Sequence, residues 1–196
     1  MKRIIDIAVG LPLLLVSAPV MLLSAIAVKL TSKGPAFYRA RRVGLGGREF
    51  DMLKLRTMVA GADDMGPPLT RDNDQRVTRI GAFIRRARLD ELPQLINVLK
   101  GDMSLVGPRP EDPAYVSLYS EQQKRVLDVR PGITGPSQLS FSKESAMLDV
   151  DDYERKYVEE IMPRKLALDI DYVYNHGIIL DLEIIFRTLL LPFRSG

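Results

Sequence analysis

The chain has 196 residues, enough for one domain with a real core or for a small domain plus an anchor. It has no cysteine and a single histidine, His176, which excludes disulfides, thiol nucleophiles and thiolate metal sites and argues against a Ser-His-Asp triad or a multi-histidine metal site. The net charge of +3 hides an asymmetry: eight Lys/Arg face two acids between Lys29 and Gly61, and eleven acids face four bases between Glu144 and Glu183.

Ile4 to Val28 is apolar apart from Asp6 and a few small polar residues, and is bounded by Lys2-Arg3 and Lys29. As one straight helix it would reach about 37 Å, enough to cross a hydrocarbon core of about 30 Å. Pro19 argues for a break, because an interior proline removes a hydrogen bond and crowds the preceding turn. Ser17 is placed to bond a freed backbone group. Split there, the halves of roughly 22 and 15 Å do not cross alone. A bent hairpin puts Lys2-Arg3 and Lys29-Lys33 on one face, in agreement with the positive-inside rule. A spanning anchor and a re-entrant hairpin both stay open at this point. The basic stretch that follows suits anionic headgroups or a phosphorylated ligand, and equally a solvated surface.

Ala36 to Met58 reads as a β-hairpin around Gly44-Leu45-Gly46-Gly47, a turn signal without dinucleotide or Walker spacing. Lys54 and Arg56 fall two residues apart at the end of its second strand, on one face. Gly61 to Asp74 reads as a loop. Val77 to Arg88 reads as a helix with Ile80, Phe83, Ile84 and Ala87 inward. Its arginines 79, 85, 86 and 88 then point out, toward a membrane surface or toward solvent.

Residues 89–110, LDELPQLINVLKGDMSLVGPRP, are the most informative stretch. Leu92, Leu95, Ile96 and Leu99 recur at helical spacing, Pro93 fits a first turn, and Lys100-Gly101 supplies a C-terminal cation and a left-handed end. The spacing predicts a helix over 91–100 with Asp90 and Glu91 at its positive end. Read alone, Asp90 is an N-cap and Glu91 a first-turn acid. Ser120 to Asp128 reads as a helix ended by Arg130-Pro131-Gly132. Residues 149–162 and 164–176 read as two helices parted at Pro163, with His176 a solvated last-turn residue. Ile178 to Phe193 is apolar with three charges, too short and polar to span, and suited to the core or the interface.

An embedded N-terminus, a carboxylate pair and several cations in a small domain describe phosphate chemistry at a membrane. Without cysteine, a covalent nucleophile would be Asp, Glu, Ser, Thr or Lys. A divalent ion would offset repulsion between carboxylate and diphosphate, and Mg²⁺ suits one or two carboxylates plus phosphate oxygens.

The chain resembles the bacterial sugar transferases, the small monotopic phosphoglycosyl transferases. LKLRTM (53–58), the arginine-bearing helix into residues 89–110, VRPGITG (129–135), the broken N-terminal helix and LDLEIIF (180–186) carry the resemblance. It implies a mainly helical α+β fold: a re-entrant helix-break-helix membrane hairpin over 1–30 with its break at Ser17-Pro19, then a catalytic domain over 31–196. That domain would hold a short β-hairpin and amphipathic interfacial helices around a small catalytic core. The resemblance implies that Asp90 attacks the β-phosphate of a UDP-sugar, releasing UMP, and that polyprenyl (undecaprenyl) phosphate then takes the phosphosugar. Glu91 would be its partner, holding Mg²⁺ with Asp90 or managing a proton. Pro108, Arg109 and Pro110 match a nucleotide-associated turn, and Lys54, Arg56, Arg85 and Arg88 are the expected phosphate-binding cations. The guanidinium fork of Arg109, held between prolines, suits bidentate phosphate or uracil contact.

Two departures stand out. The break reads Ser17-Ala18-Pro19 in place of Ser-Pro, and Pro136 to Ser142 replaces the usual Trp-Ala-Gln-Val-Asn-Gly-Arg. The resemblance places the chain on the cytoplasmic face of the bacterial inner membrane among its lipids, leaves a homodimer open, and implies no nucleic-acid partner. Competing readings are a Mg²⁺-dependent phosphohydrolase or nucleotidyl transferase using the same carboxylates, and a non-catalytic basic scaffold.

Overall fold

A computed structural model describes residues 1–72, 74–148 and 152–190. It opens with a 30-residue helix, α1 (Lys2–Thr31), which runs through Pro12 and Pro19 without a non-helical interruption. The break expected at Ser17-Pro19 is therefore not an interruption of the helix. Each proline deletes a single bond to the carbonyl four residues back, Ala8 and Leu15 respectively, and both residues lie on the exposed side. The rest of the ladder holds, while Ser17 Oγ donates to the Leu14 carbonyl at 3.3 Å.

One stripe of α1, at Asp6, Gly10, Ser24, Ala25 and Val28, is buried against the rest of the chain. Ahead of Pro12, the Asp6 carboxylate accepts the Ser104 hydroxyl at 2.9 Å and the Leu105 N–H at 3.0 Å. Arg3 donates to the carbonyls of Val98 and Leu99, and Lys2 meets Tyr172 and Asp181. Beyond Pro19, Ala25 and Val28 pack with Leu55 and Ile84. Both ends of the helix thus rest on one body, while Leu15, Val16, Leu22, Leu23 and Leu30 stay exposed.

The β-hairpin forms as predicted. Strands β1 (Phe37–Val43) and β2 (Glu49–Leu55) pair antiparallel, from Phe37 opposite Leu55 to Val43 opposite Glu49. The loop that follows contains a 3₁₀ turn, Ala62–Met65, and is gathered by buried Arg76. The Arg76 guanidinium donates to the Leu69 carbonyl at 2.6 Å, the Pro67 carbonyl at 3.0 Å and the Asp74 carboxylate at 2.7 Å. Helix α2 (Arg79–Arg86) starts at Thr78, whose Oγ1 accepts the Gly81 N–H. Ile84 is buried and Ile80 partly so, but Phe83 is 62 % exposed and Ala87 is also outside, so the inward face is narrower than the spacing predicts.

A 3₁₀ turn, Leu89–Glu91, precedes α3 (Gln94–Lys100), which ends at Gly101 with the expected left-handed φ of 95°. Leu95 and Val98 face the core; so, unexpectedly, does Asn97. Its side-chain amide accepts the Leu53 N–H at 2.9 Å and donates to the Asp51 carbonyl at 2.8 Å, completing the edge of β2 as a further strand would. Strand β3 (Ser104–Val106) pairs parallel with β4 (Gly132–Thr134).

Between them lie α4 (Pro113–Val116) and a 3₁₀ helix, Gln123–Asp128. After β4 come α5 (Pro136–Ser140), α6 (Glu144–Met147) and α7 (Tyr153–Lys156). A π-helical turn, Tyr157–Ile161, leads without a gap into α8 (Met162–Asn175), so the two helices expected on either side of Pro163 are not parted there. The start of the helix expected over 149–162 lies outside the described residues. Helix α9 (Ile178–Leu190) buries Ile184 and joins Thr188 to Thr134 at 2.6 Å, while Ile179, Leu182, Phe186 and Leu189 are exposed. Its expected continuation to Phe193 falls outside the described residues. Among the described residues the fold is mainly helical with two two-stranded sheets.

Candidate active site

The site forms where α2, the Leu89–Glu91 turn, the end of β2 and the turn after β3 converge. Helix α2 can approach the end of the hairpin because residue 81 is glycine: a Cβ there would stand 2.0 Å from the Thr57 carbonyl oxygen. That approach lets Arg85 Nε donate to Thr57 Oγ1 at 2.7 Å. Arg88 then turns the chain with φ 57°, the one non-glycine residue with positive φ among those described. A left-handed residue with a side chain costs about 1–3 kcal/mol and is kept where the surroundings fix it. Here it swings Asp90 and Glu91 back toward β2.

The two carboxylates sit in the 3₁₀ turn, ahead of α3 and separated from it by Leu92 and Pro93. The helix predicted over 91–100 becomes α3 only from Gln94, so the two acids precede it in the 3₁₀ turn, within one turn of its start, and side-chain charges act on them as well. Lys54, Arg85 and Arg109 supply those charges. Both terminal nitrogens of Arg109 lie 3.3 Å from Glu91 Oε1, and Arg88 Nη1 lies 3.9 Å from Glu91 Oε2. Asp90 forms no ion pair within 4.0 Å among the described residues.

The two acids therefore behave differently. Burial, then the neighbouring Glu91, pushes the Asp90 carboxyl above its ordinary value, with Lys54 and Arg85 opposing. Burial also acts upward on Glu91, but Arg109, Lys54 and Arg88 outweigh it and hold that carboxyl low. Lys54 is pushed down to about 8, first by burial and then by Arg109, against the pull of Glu91 and Asp90. The result is a firmly ionised, anchored Glu91 beside an Asp90 whose oxygens are left for something else.

Of the predicted cations, Lys54, Arg85 and Arg109 join this cluster, and Arg88 stands half exposed at its edge. Arg56 does not. It lies one residue past β2, is 7 % exposed, and donates to the carbonyls of Ser32 and Lys33 and to Ser32 Oγ. These carbonyls lie just past α1, outside its hydrogen-bond ladder, and a guanidinium satisfies several at once. Pro108 and Pro110 are buried and frame Arg109.

The turn bearing Arg109 is locked by backbone. Gly107 N–H donates to the Thr134 carbonyl at 2.9 Å, and Gly132 N–H to that of Pro108 at 2.9 Å. A Cβ on Gly132 would stand 2.1 Å from the Gly107 nitrogen, so only glycine allows this contact.

A divalent cation has two adjacent carboxylates here, and no group of three potential protein ligands occurs among the described residues. Two acids with unshared oxygen capacity fit the kind of Mg²⁺ site that substrate phosphates and water complete.

A family model for bacterial sugar transferases matches residues 1–195. The chain belongs to this family. Across 191 residues it is 41 % identical to a UDP-glucose:undecaprenyl-phosphate glucose-1-phosphate transferase of Caulobacter vibrioides, covering 96 % of this chain and 68 % of that one. It is 38 % identical to a UDP-N-acetylgalactosamine-undecaprenyl-phosphate N-acetylgalactosaminephosphotransferase of Aeromonas hydrophila, over 96 % of this chain and 42 % of the relative. A UDP-glucose:undecaprenyl-phosphate glucose-1-phosphate transferase of Escherichia coli is 36 % identical over 98 % of this chain and 40 % of its own length. The chain thus spans about two fifths of the second and third of these relatives.

Sequence reasoning on this sugar transferase missed Thr57, which seats Arg85, and Asp169 and Ser137, which lie behind Arg109. Thr57 stands in the LKLRTM motif and could have been found there. Asp169 is one of eleven acids in an acidic region, with no local pattern to set it apart.

Proposed function

We propose that this sugar transferase moves a sugar-1-phosphate from a UDP-sugar to polyprenyl (undecaprenyl) phosphate in two displacements at phosphorus, as a first membrane step in glycoconjugate assembly. The observation that carries the reading is the asymmetry of the carboxylate pair. Among the described residues Asp90 has no ion pair and is set among cations, while Glu91 is tied to Arg109. A nucleophile needs free oxygens; a structural acid does not.

In the first step an Asp90 oxygen bonds to the β-phosphorus and the bond to the bridging oxygen breaks, so UMP leaves with the electron pair. An acyl phosphate bearing the sugar remains on Asp90. In the second step a phosphate oxygen of the lipid bonds to that phosphorus and the Asp90 carboxylate departs, restored. Lys54, Arg85 and Arg109 hold the phosphate charge, as preorganised cations do in phosphoryl transfer. Asp90 and Glu91 would hold Mg²⁺, which when bound offsets the repulsion between carboxylate and diphosphate.

The arrangement of α1 supports a position on one leaflet. A helix crossing a bilayer would carry one end away from the body that binds the other, whereas Asp6 and Val28 both pack on the same body here. We read α1 as seated along one leaflet of the inner membrane with both ends held on the cytoplasmic body, and the exposed faces of α2 and α9 at the interface.

The test is UMP release from a panel of UDP-sugars in vesicles containing polyprenyl phosphate, with trapping of radiolabelled sugar phosphate on the protein. Asp90→Asn should abolish both signals. Full activity in that variant, or a label mapped to another side chain, refutes the mechanism. Release of free sugar phosphate without lipid acceptor would identify a hydrolase instead.

A further inference from the structure

Behind Arg109 lies a buried acid that the transfer steps do not use. Asp169, on α8, is 4 % exposed, and Ser137, on α5, is fully buried. The Ser137 hydroxyl donates to Asp169 Oδ2 at 2.8 Å, and the Ser137 N–H to Oδ1 at 3.3 Å. Ser137 follows closely on Gly135, where a Cβ would stand 2.2 Å from the Gly107 carbonyl oxygen, so the segment this carboxylate holds lies against the turn bearing Arg109. One side chain thereby steadies the segment after β4 against the turn that carries Arg109, at the point where glycines 107, 132 and 135 let the two backbones touch. A guanidinium that must meet both Glu91 and a phosphate has little room for error, because an ångström of misplacement at a phosphate clamp costs substantial rate.

We propose that Ser137 and Asp169 form a positioning pair which holds the Arg109 turn only while Asp169 is ionised, so that nucleotide-sugar binding weakens when Asp169 takes a proton. This deepens the proposed transfer function and rests on it. A neutral carboxylic acid has one oxygen that becomes a donor, and it cannot accept from the Ser137 hydroxyl and the Ser137 N–H as strongly as the carboxylate does.

The surroundings set where this happens. Burial raises the Asp169 carboxyl to about 6; the Ser137 hydroxyl and N–H and Lys165 pull the other way. Lys165 lies one turn back on α8, where Glu144 of α6 pairs with it at 2.8 Å. Tyr119 and Tyr172 also face Asp169, and both phenols are pushed well above their ordinary range, first by their own burial, so they remain neutral. Burial thus brings the Asp169 carboxyl up toward neutrality beside phenols that stay neutral. Removing the Ser137 hydroxyl removes a bond to the charged form and moves the titration up.

The experiment measures kcat and KM for UMP release by the full chain in vesicles between about pH 5 and 9, with the UDP-sugar it turns over best. Equilibrium dialysis of UDP runs in parallel. In the unaltered chain, KM should rise as pH falls through about 6. Ser137→Ala should move that rise upward by about one to two pH units, the worth of one charge-assisted hydrogen bond. Asp169→Asn should raise KM about tenfold at every pH and abolish its acid rise, leaving kcat less affected. A KM rise that stays in place in Ser137→Ala, or a loss confined to kcat, overturns the proposal. If the unaltered chain neither binds UDP nor releases UMP, the transfer reading fails first. If it does both and the variants leave the KM profile unmoved, only the positioning pair fails.

Discussion

Lys54 gives the sharpest test of the electrostatics. Its ammonium is drawn down from the ordinary 10.5 to about 8 by burial and by Arg109. With that value, about nine-tenths of the free protein carries the Lys54 proton at pH 7 and about one-tenth at pH 9. If the protonated form binds the diphosphate, kcat/KM should fall about tenfold per pH unit above about 8, since that ratio reports the free enzyme. Stability should move the opposite way. Between about 8 and 10.5 the unfolded chain holds the Lys54 proton more tightly than the folded chain, so unfolding free energy rises with pH across that window. The full shift corresponds to about 3 kcal/mol. Initial rates of UMP release and chemical unfolding, run over the same pH series, read the two trends side by side. Lys54→Arg keeps a cation that does not titrate in this range, so its remaining activity should be flat through pH 8 and above. A rate that holds level to pH 10 in the unaltered chain, or a basic fall that persists in Lys54→Arg, refutes the reasoning.

Other consequences follow from particular contacts. Arg109→Lys loses the two-nitrogen approach to Glu91 and should raise KM for the UDP-sugar about tenfold or more, a loss of about 1.5–3 kcal/mol. Gly132→Ala forces the Gly107 backbone aside and should lower stability by about 1–3 kcal/mol in thermal or chemical unfolding, with UMP release falling alongside. Asp6→Leu strips the partner from the Ser104 hydroxyl and the Leu105 N–H. At about 1–3 kcal/mol for each buried orphan, the chain ahead of Pro12 should become accessible to protease in detergent while the unaltered chain resists. Asn97→Ala should weaken the whole fold by a similar amount per lost partner, measured as a lower unfolding midpoint.

What could be read beforehand was local. The hairpin announced itself through its glycine turn, and the end of α3 through Lys100-Gly101. The cations that gather on the carboxylates were in view as motif positions, apart from Arg56, whose guanidinium is claimed by the end of α1. What could not be read depends on groups distant in the chain. Asp169 finds Ser137 across 32 residues, and Asn97 finds the edge of β2 across 44 to 46. No periodicity records such pairings. The prolines of α1 mislead for a related reason: their penalty is local, and what holds the helix is the body beneath it. Phe83 falls on the spacing of an inward face but stands outside, because the face is set by the contacts of Ile84 and Gly81.

The two-ended seating of α1 has a mechanical corollary. A helix fastened at one end can tilt to suit a thicker or thinner lipid film, whereas this one is gripped near Asp6 and again near Val28. The distance from Asp90 to the exposed stripe of α1 is then set by the protein, whatever the thickness of a film that takes up that stripe.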